Sequence, residues 1–214
     1  MLSKKIIFTI SLIITFQFFK SNVTESSSVG GGLEEKIERK IENYIENDDY
    51  QGVVLIAKDG KVLFKKAYGY ADRKEKIKNT PKTQFLIGSL TKSFVAVSIL
   101  QLAEEGLLDL NTPIQTYIPE LKDELGKHLT LHLLLKHQSG LVPHLERITD
   151  FEDKDVSSKE IIQIINTSSL AFTPGDEYQY SNLNYTLSAI AIENVTNKPY
   201  AQVLQERTFI PCVL

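Results

Sequence analysis

Tryptophan is absent from this 214-residue chain, and cysteine and methionine occur once each. A lone cysteine, Cys212, can form neither an intramolecular disulfide nor a cysteine-based metal cluster. No charge sign dominates: 24 Lys and Arg stand against 27 Asp and Glu, for a net charge of −3. That balance supplies no field that would gather nucleic acid or an anionic membrane surface. Long apolar runs are lacking too. The run from Ile6 to Phe19 falls short of the about 20 residues a bilayer span needs, and Thr9, Ser11, Thr15 and Gln17 interrupt it. There is no internal repeat. What remains is an ordinary globular composition, 42% hydrophobic and 24% charged, enough for one large domain or two small ones.

Lys4 and Lys5 precede the Ile6–Phe19 run. A charged start and a short apolar core are the marks of a secretory signal, so residues 1–20 are expected to direct export to the periplasm or cell exterior. No clean small-x-small cleavage site follows, and an uncleaved anchor is the alternative. It is also the one route to a membrane that the chain offers. Residues 21–32, rich in Ser and Gly, read as a flexible tether.

From Leu33 the pattern becomes regular. Leu33, Ile37, Ile41 and Ile45 are four apart and predict an amphipathic helix. Val53–Ala57 and Val62–Phe64 flank Lys58-Asp59-Gly60-Lys61, and Asp-Gly is a favoured two-residue hairpin turn. The second strand is expected to run on to Tyr70, followed by a charged loop from Asp72 to Pro81. Phe94, Val95, Val97, Ile99, Leu100 and Leu102 have helical period and close at Gly106, the expected C-terminal cap. Later come a helix capped by Thr130 through Leu131–Leu135, one over Glu160–Ile165, a turn at Thr173–Asp176 and a helix from Asn182 to Val195. The reading divides the region into an α/β start over 33–80 and a mainly helical stretch over 81–214.

Ser89 and Lys92 sit three apart at the start of the Phe94–Leu102 helix, and so on one face. Free N–H groups and the positive dipole end favour a developing anion there. A serine hydroxyl is a weak nucleophile until a base takes its proton, and a lysine can do so only when neutral. The plainer reading makes Ser89 a helix cap and Lys92 a solvated face residue. His128 and His132 are four apart, a spacing that metal ligands on one helix would have. Thr130 between them reads as a cap, and no acidic partner follows, so no metal or cofactor is expected.

The Ser89 stretch has company. Gly69-Tyr70-Ala71-Asp72, then Pro81, Thr83, Phe85 and Ile87-Gly88-Ser89-x-x-Lys92, lead into Leu102–Leu108 and Tyr117-Ile118-Pro119-Glu120. Leu134-Leu135-Lys136-His137-Gln138-Ser139-Gly140-Leu141 and Tyr180-Ser181-Asn182 follow. In this order the motifs resemble the serine β-lactamase and penicillin-binding protein family, in the branch with class C β-lactamases, D-Ala-D-Ala peptidases and related esterases. The serine–lysine pair is a signature of such enzymes, and the likeness covers most of residues 50–210. It implies an α+β fold of the β-lactamase/transpeptidase type, an antiparallel sheet flanked by helices plus an all-helical region. It implies an acyl-enzyme on Ser89, with Lys92 taking or relaying the proton. Tyr180 becomes the second acid/base and Asn182 the group that holds a substrate amide and orients Lys92. His137 falls at a position of structural character. Tyr180 could instead be a core aromatic, and Asn182 also reads as the N-cap of its own helix. The implied substrate is a β-lactam, a D-Ala-D-Ala peptide end of the peptidoglycan type, or a small ester. A non-catalytic penicillin-binding sensor and an inactive gene product are the alternatives.

The family's third motif, Lys-Thr-Gly or His-x-Gly, does not occur in the chain, nor do the family's later strands, so the reading is of a partial domain. Val53–Ala57 alternates poorly and looks fit for burial on both faces. Without partner strands its apolar residues would meet water, which invites aggregation. Residues 33–214 are therefore expected to aggregate or melt broadly, and to leave nitrocefin unhydrolysed. A sharp thermal transition with Ser89-dependent hydrolysis would contradict this.

Overall fold

The computed structural model describes residues 31–46, 50–143 and 156–212. The expected signal, residues 1–20, and residues 21–30 of the expected tether lie outside them. The chain forms two compact units that change over between Phe85 and Leu86.

In the first unit, α1 spans Gly31–Glu46, beginning two residues before the expected Leu33. Ile37, Ile41 and Ile45 form its half-buried face, as four-residue spacing requires. Strands β1 (Gly52–Lys58) and β2 (Lys61–Tyr68) pair antiparallel around Asp59-Gly60. Both turn residues have positive φ, 49° and 73°, the geometry whose twist matches a two-residue hairpin. Glu38 of α1 and Lys66 of β2 form an ion pair. Two expectations need correction here. β2 ends at Tyr68 rather than reaching Tyr70, because Gly69 takes a φ of 66°. The charged stretch beyond is a second, smaller hairpin, β3 (Tyr70–Asp72) with β4 (Ile77–Lys78). Asn79 pins it, donating through Nδ2 to the Tyr68 carbonyl at 2.8 Å. Phe64 is buried, whereas Leu55, Val62 and Leu63 are 42%, 52% and 43% exposed.

The second unit is helical, and among its described residues the only strand-like pairing is an isolated bridge between Pro113 and Thr130. Gly88–Leu90 makes a 3-10 turn that runs directly into α2 (Thr91–Glu104). Val95, Ile99 and Leu102 form the buried stripe of α2. Gly106 closes α2 as expected: its N–H bonds the Ala103 carbonyl at 3.0 Å, and the Leu107 N–H reaches the Leu102 carbonyl at 2.9 Å. This double bond pattern satisfies the free carbonyls of the last turn. α3 (Asp123–Gly126) is a short helix the periodicity did not reveal. α4 (Leu131–Leu135) is capped by Thr130, whose hydroxyl accepts from the Leu133 N–H. α5 (Ser158–Thr167) opens with a capping box between Ser157 and Glu160 and buries Ile161, Ile162 and Ile165. α6 (Asn182–Thr196) is buried on nearly every side by Leu183, Leu187, Ile190, Ala191 and Ile192. α7 (Tyr200–Leu204) continues as a wider π-type turn through Phe209.

One apolar core joins these helices, with Ile99, Leu102, Ile114, Leu134, Leu141, Ile165, Leu187 and Ile192 inaccessible to water. Each such side chain contributes about 1.5–3 kcal/mol when buried. The stretch from His137 to Val142 runs along the start of the Leu170–Asn182 return. Gly140 lies at φ 76°, and a Cβ there would sit 2.5 Å from the Phe172 carbonyl oxygen. Gly106 has a similar φ of 72° but open space around it. Gly106→Ala should therefore cost about 1–2 kcal/mol from backbone strain alone. Gly140→Ala should cost clearly more and lower the thermal midpoint further, since the obstructing atom is backbone. Equal midpoints for the two variants would refute this packing.

Candidate active site

Ser89 lies in the 3-10 turn two residues before α2 begins, and Lys92 is the second residue of the helix. The tight turn and the first helical turn put both side chains on one side, and Lys92 Nζ lies 3.1 Å from Ser89 Oγ. From the opposite direction come Tyr180 and Asn182, at the entry to α6. Tyr180 Oη is 2.7 Å from Ser89 Oγ, and Lys92 Nζ donates to Asn182 Oδ1 at 2.8 Å. The four residues singled out from the sequence thus meet at one point. Two plainer readings fall away. Lys92 is half-buried and hydrogen-bonded rather than solvated, and Tyr180 is 38% exposed rather than a core aromatic.

Asn182 needs a correction. The N-cap of α6 is Ser181, whose hydroxyl accepts from the Leu183 N–H while donating to the Val142 carbonyl at 2.6 Å. Asn182 is the first helical residue, and its side chain reaches Lys92 instead. Serine takes the cap because its short side chain folds back on the backbone. The longer amide one residue on projects from the helix start.

The segment that carries Tyr180 is held from below. The Gln179 N–H bonds the His137 carbonyl at 2.9 Å, the Ser181 N–H bonds His137 Nδ1 at 3.2 Å, and the Asn182 N–H bonds the Pro143 carbonyl at 2.9 Å. Asn184 Nδ2 is 3.0 Å from the same Nδ1, and Ser139 Oγ lies 2.5 Å from Asn184 Oδ1. His137, Ser139 and Asn184 are all buried. Tyr185 donates to the Leu135 carbonyl at 3.1 Å. The family resemblance implies a structural role for His137, whereas no motif singles out Asn184. The available signal was polar: Asn184 and Ser188 lie four apart on a helix otherwise lined by Leu, Ile and Ala.

Electrostatics follow from these contacts. Burial opposes ionisation of Tyr180, but the polar interactions with Lys92 and Ser89 and the charge of Lys92 outweigh it. The phenol therefore lies below its ordinary value. Lys92 Nζ is also 4.9 Å from the Tyr180 ring centroid and 5.7 Å from that of Tyr185. Tyr185 moves the other way, raised by burial and then by Tyr180 and Tyr178. Burial, and next the charge of Lys92, hold His137 below the usual imidazole value. Among the described residues no three His, Cys, Asp or Glu side chains gather where a metal could be held. A serine hydroxyl with an amine and a phenol within hydrogen-bond reach, and an amide on the amine, has the geometry that acyl transfer uses.

This arrangement of helices and side chains defines a serine-hydrolase-type β-lactamase/penicillin-binding protein fold. The Beta-lactamase family model matches residues 37–213, and the chain belongs to that family. It is 34% identical over 173 residues to the putative penicillin-binding protein PbpX of Bacillus subtilis (strain 168), across 81% of this chain and 42% of the relative. The crystal structure of FmtA from Staphylococcus aureus matches with a TM-score of 0.70 at 32% identity, covering 82% of this chain and 48% of that one. D-amino acid amidase from Ochrobactrum anthropi SV3, complexed with L-phenylalanine, matches with a TM-score of 0.69 at 27% identity, covering 81% and 49%. The chain spans less than half the length of each of these three relatives.

The lowered Tyr180 phenol can be tested by titration. Of the nine tyrosines, Tyr180 should give the earliest rise in tyrosinate absorbance, below the pH of an ordinary phenol. Tyr180→Phe should remove that step and Lys92→Met should move it upward. An earliest step that survives Tyr180→Phe would contradict the geometry.

Proposed function

We propose that Ser89 is the nucleophile of an exported serine hydrolase that acts on amide or ester bonds through an acyl-enzyme. The observation that carries this is the pair of contacts on Ser89 Oγ, Tyr180 Oη at 2.7 Å and Lys92 Nζ at 3.1 Å. A hydroxyl so placed has one partner to take its proton and another to pass a proton on. Export rests on the charged start and apolar core of residues 4–19.

Once its ammonium proton has passed to solvent, Lys92 as the free amine takes the Ser89 proton while Oγ attacks the carbonyl carbon. The carbonyl π electrons move onto oxygen, and the Ser89 N–H at the head of α2 offers one donor to that oxyanion. Collapse restores the carbonyl and breaks the bond to the leaving amine or alkoxide. Tyr180 gives the leaving group its proton and recovers one from the Lys92 ammonium, so the proton lost by Ser89 leaves with the departing group. In deacylation water adds to the acyl carbon, and the same two residues take its proton and return one to Ser89 Oγ. Asn182 holds the Lys92 nitrogen on the Ser89 side throughout, and its amide is suited to a substrate amide.

The substrate class is an acylated amine or ester: a β-lactam, a D-amino acid amide or peptide end, or a small ester. The named activity of the amidase relative favours the amide. The likeness to PbpX supports a second reading, in which Ser89 acylates with a penicillin and deacylates slowly, as a sensor would.

The test is the rate at which a fluorescent penicillin or a phosphonate probe covalently labels the intact protein. Ser89→Ala should abolish labelling. Lys92→Arg, which keeps the charge but cannot supply a free amine, should lose about a hundredfold or more. Tyr180→Phe should slow turnover as well. Full labelling of Ser89→Ala, or a normal rate in Lys92→Arg, would overturn the reading.

A further inference from the structure

The mechanism above leaves the buried His137 unused, and it lies directly beneath Tyr180. We infer that His137 is a positioning residue that acts through Tyr180, fixing where the phenol hydroxyl meets Ser89. The inference rests on the reading of Ser89 as nucleophile.

Three contacts carry it. The carbonyl oxygen of His137 accepts from the Gln179 N–H at 2.9 Å, and its ring Nδ1 accepts from the Ser181 N–H at 3.2 Å. Both chain neighbours of Tyr180 are therefore tied to one residue. The imidazole also lies under the Tyr180 ring, with centroids 4.5 Å apart and planes tilted by 32°. Backbone on both sides and the ring face between them leave the phenol little freedom to swing. A displacement of about 1 Å in such a group can cost a hundredfold in rate.

His137 is itself over-determined. Its backbone holds a φ of 57°, which L-residues seldom adopt without support. Nδ1 receives a second donor, Asn184 Nδ2 at 3.0 Å, and Asn184 Oδ1 is met in turn by Ser139 Oγ at 2.5 Å. Two donors on Nδ1 require that nitrogen to be bare, which places the ring's single proton on Nε2. Tyr178 and Tyr185 also flank the ring, with centroids at 6.0 and 5.3 Å, and after burial the charge of Lys92 lowers its basicity. An imidazolium would carry an N–H at Nδ1 facing two donors, so the neutral ring is the form that holds the segment.

A merely structural histidine and a positioning one differ in how their loss combines with the loss of Tyr180. His137→Asn keeps a residue that tolerates positive φ and offers one acceptor, but it removes the ring under Tyr180. Ser89 acylation should slow about tenfold to a hundredfold, with the concentration giving half-maximal rate little changed. In the Tyr180→Phe background, His137→Asn should slow acylation little further. His137→Ala should be worse than His137→Asn, by the partial rescue the amide acceptor provides. Parent-like acylation in His137→Asn, or a full additional loss in the double variant, would overturn the inference. The tyrosinate titration separates this from the parent reading. If the intact protein does not label at Ser89, the nucleophile assignment fails, and His137 is judged by the Tyr180 step alone. That step should move up towards an ordinary phenol in His137→Asn, and an unmoved step would refute positioning.

Discussion

Ser89 and Lys92 meet Tyr180 and Asn182 because α2 and α6 share one apolar core. The stripe of Val95, Ile99 and Leu102 on α2 and the nearly all-round burial of α6 fix the two helices against each other. Their first residues then face across a short gap. The candidate site lies at those two helix starts, where backbone N–H groups are free and the dipole favours negative charge. The core contributes stability far larger than any one polar contact, since each buried Leu or Ile is worth about 1.5–3 kcal/mol. A net hydrogen bond is worth about 1 kcal/mol. The polar contacts therefore specify geometry more than they hold the unit together.

Beneath the site, the polar groups are organised in a second tier. Ser139, Asn184 and His137 are buried and bonded to one another, and they end on the backbone that flanks Tyr180. A buried polar chain in which each member has a partner is rigid, whereas a half-satisfied one is costly. This tier ties the return segment before α6 to the stretch after α4, independently of the Ser89–Lys92 contact. The phenol of Tyr180 thus takes its position from one side and its lowered ionisation from the other, through Lys92 and Ser89.

Most of the site was legible because its residues are tied to local periodicity. The apolar spacing from Phe94 to Leu102 predicts α2, and the three-residue step from Ser89 to Lys92 then fixes a shared face. Asp59-Gly60 named its hairpin, and Gly106 and Thr130 named their caps, because each rests on local backbone chemistry. What escaped is non-local or short. β3 and β4 together involve only five residues, too few for a period to show. α3 is a single turn. Ser181 rather than Asn182 caps α6, and the Asn182 amide instead meets Lys92, 90 positions away in sequence. The role of Asn184 depends on Ser139 and His137, more than forty positions earlier, and no local pattern encodes that.

Membership of the Beta-lactamase family sets the fold, and the proposed chemistry rests on Lys92 and Tyr180 meeting Ser89 while Asn182 holds Lys92. The central claim is that Ser89 Oγ, and no other hydroxyl, becomes covalently acylated. Peptide mapping by mass spectrometry after incubation of the intact protein, rather than residues 33–214 alone, with a penicillin tests it most directly. The account predicts a single adduct, of the mass of the intact penicillin, on the peptide that contains Ser89. An adduct on any other residue, or a chain that remains unmodified, would contradict it.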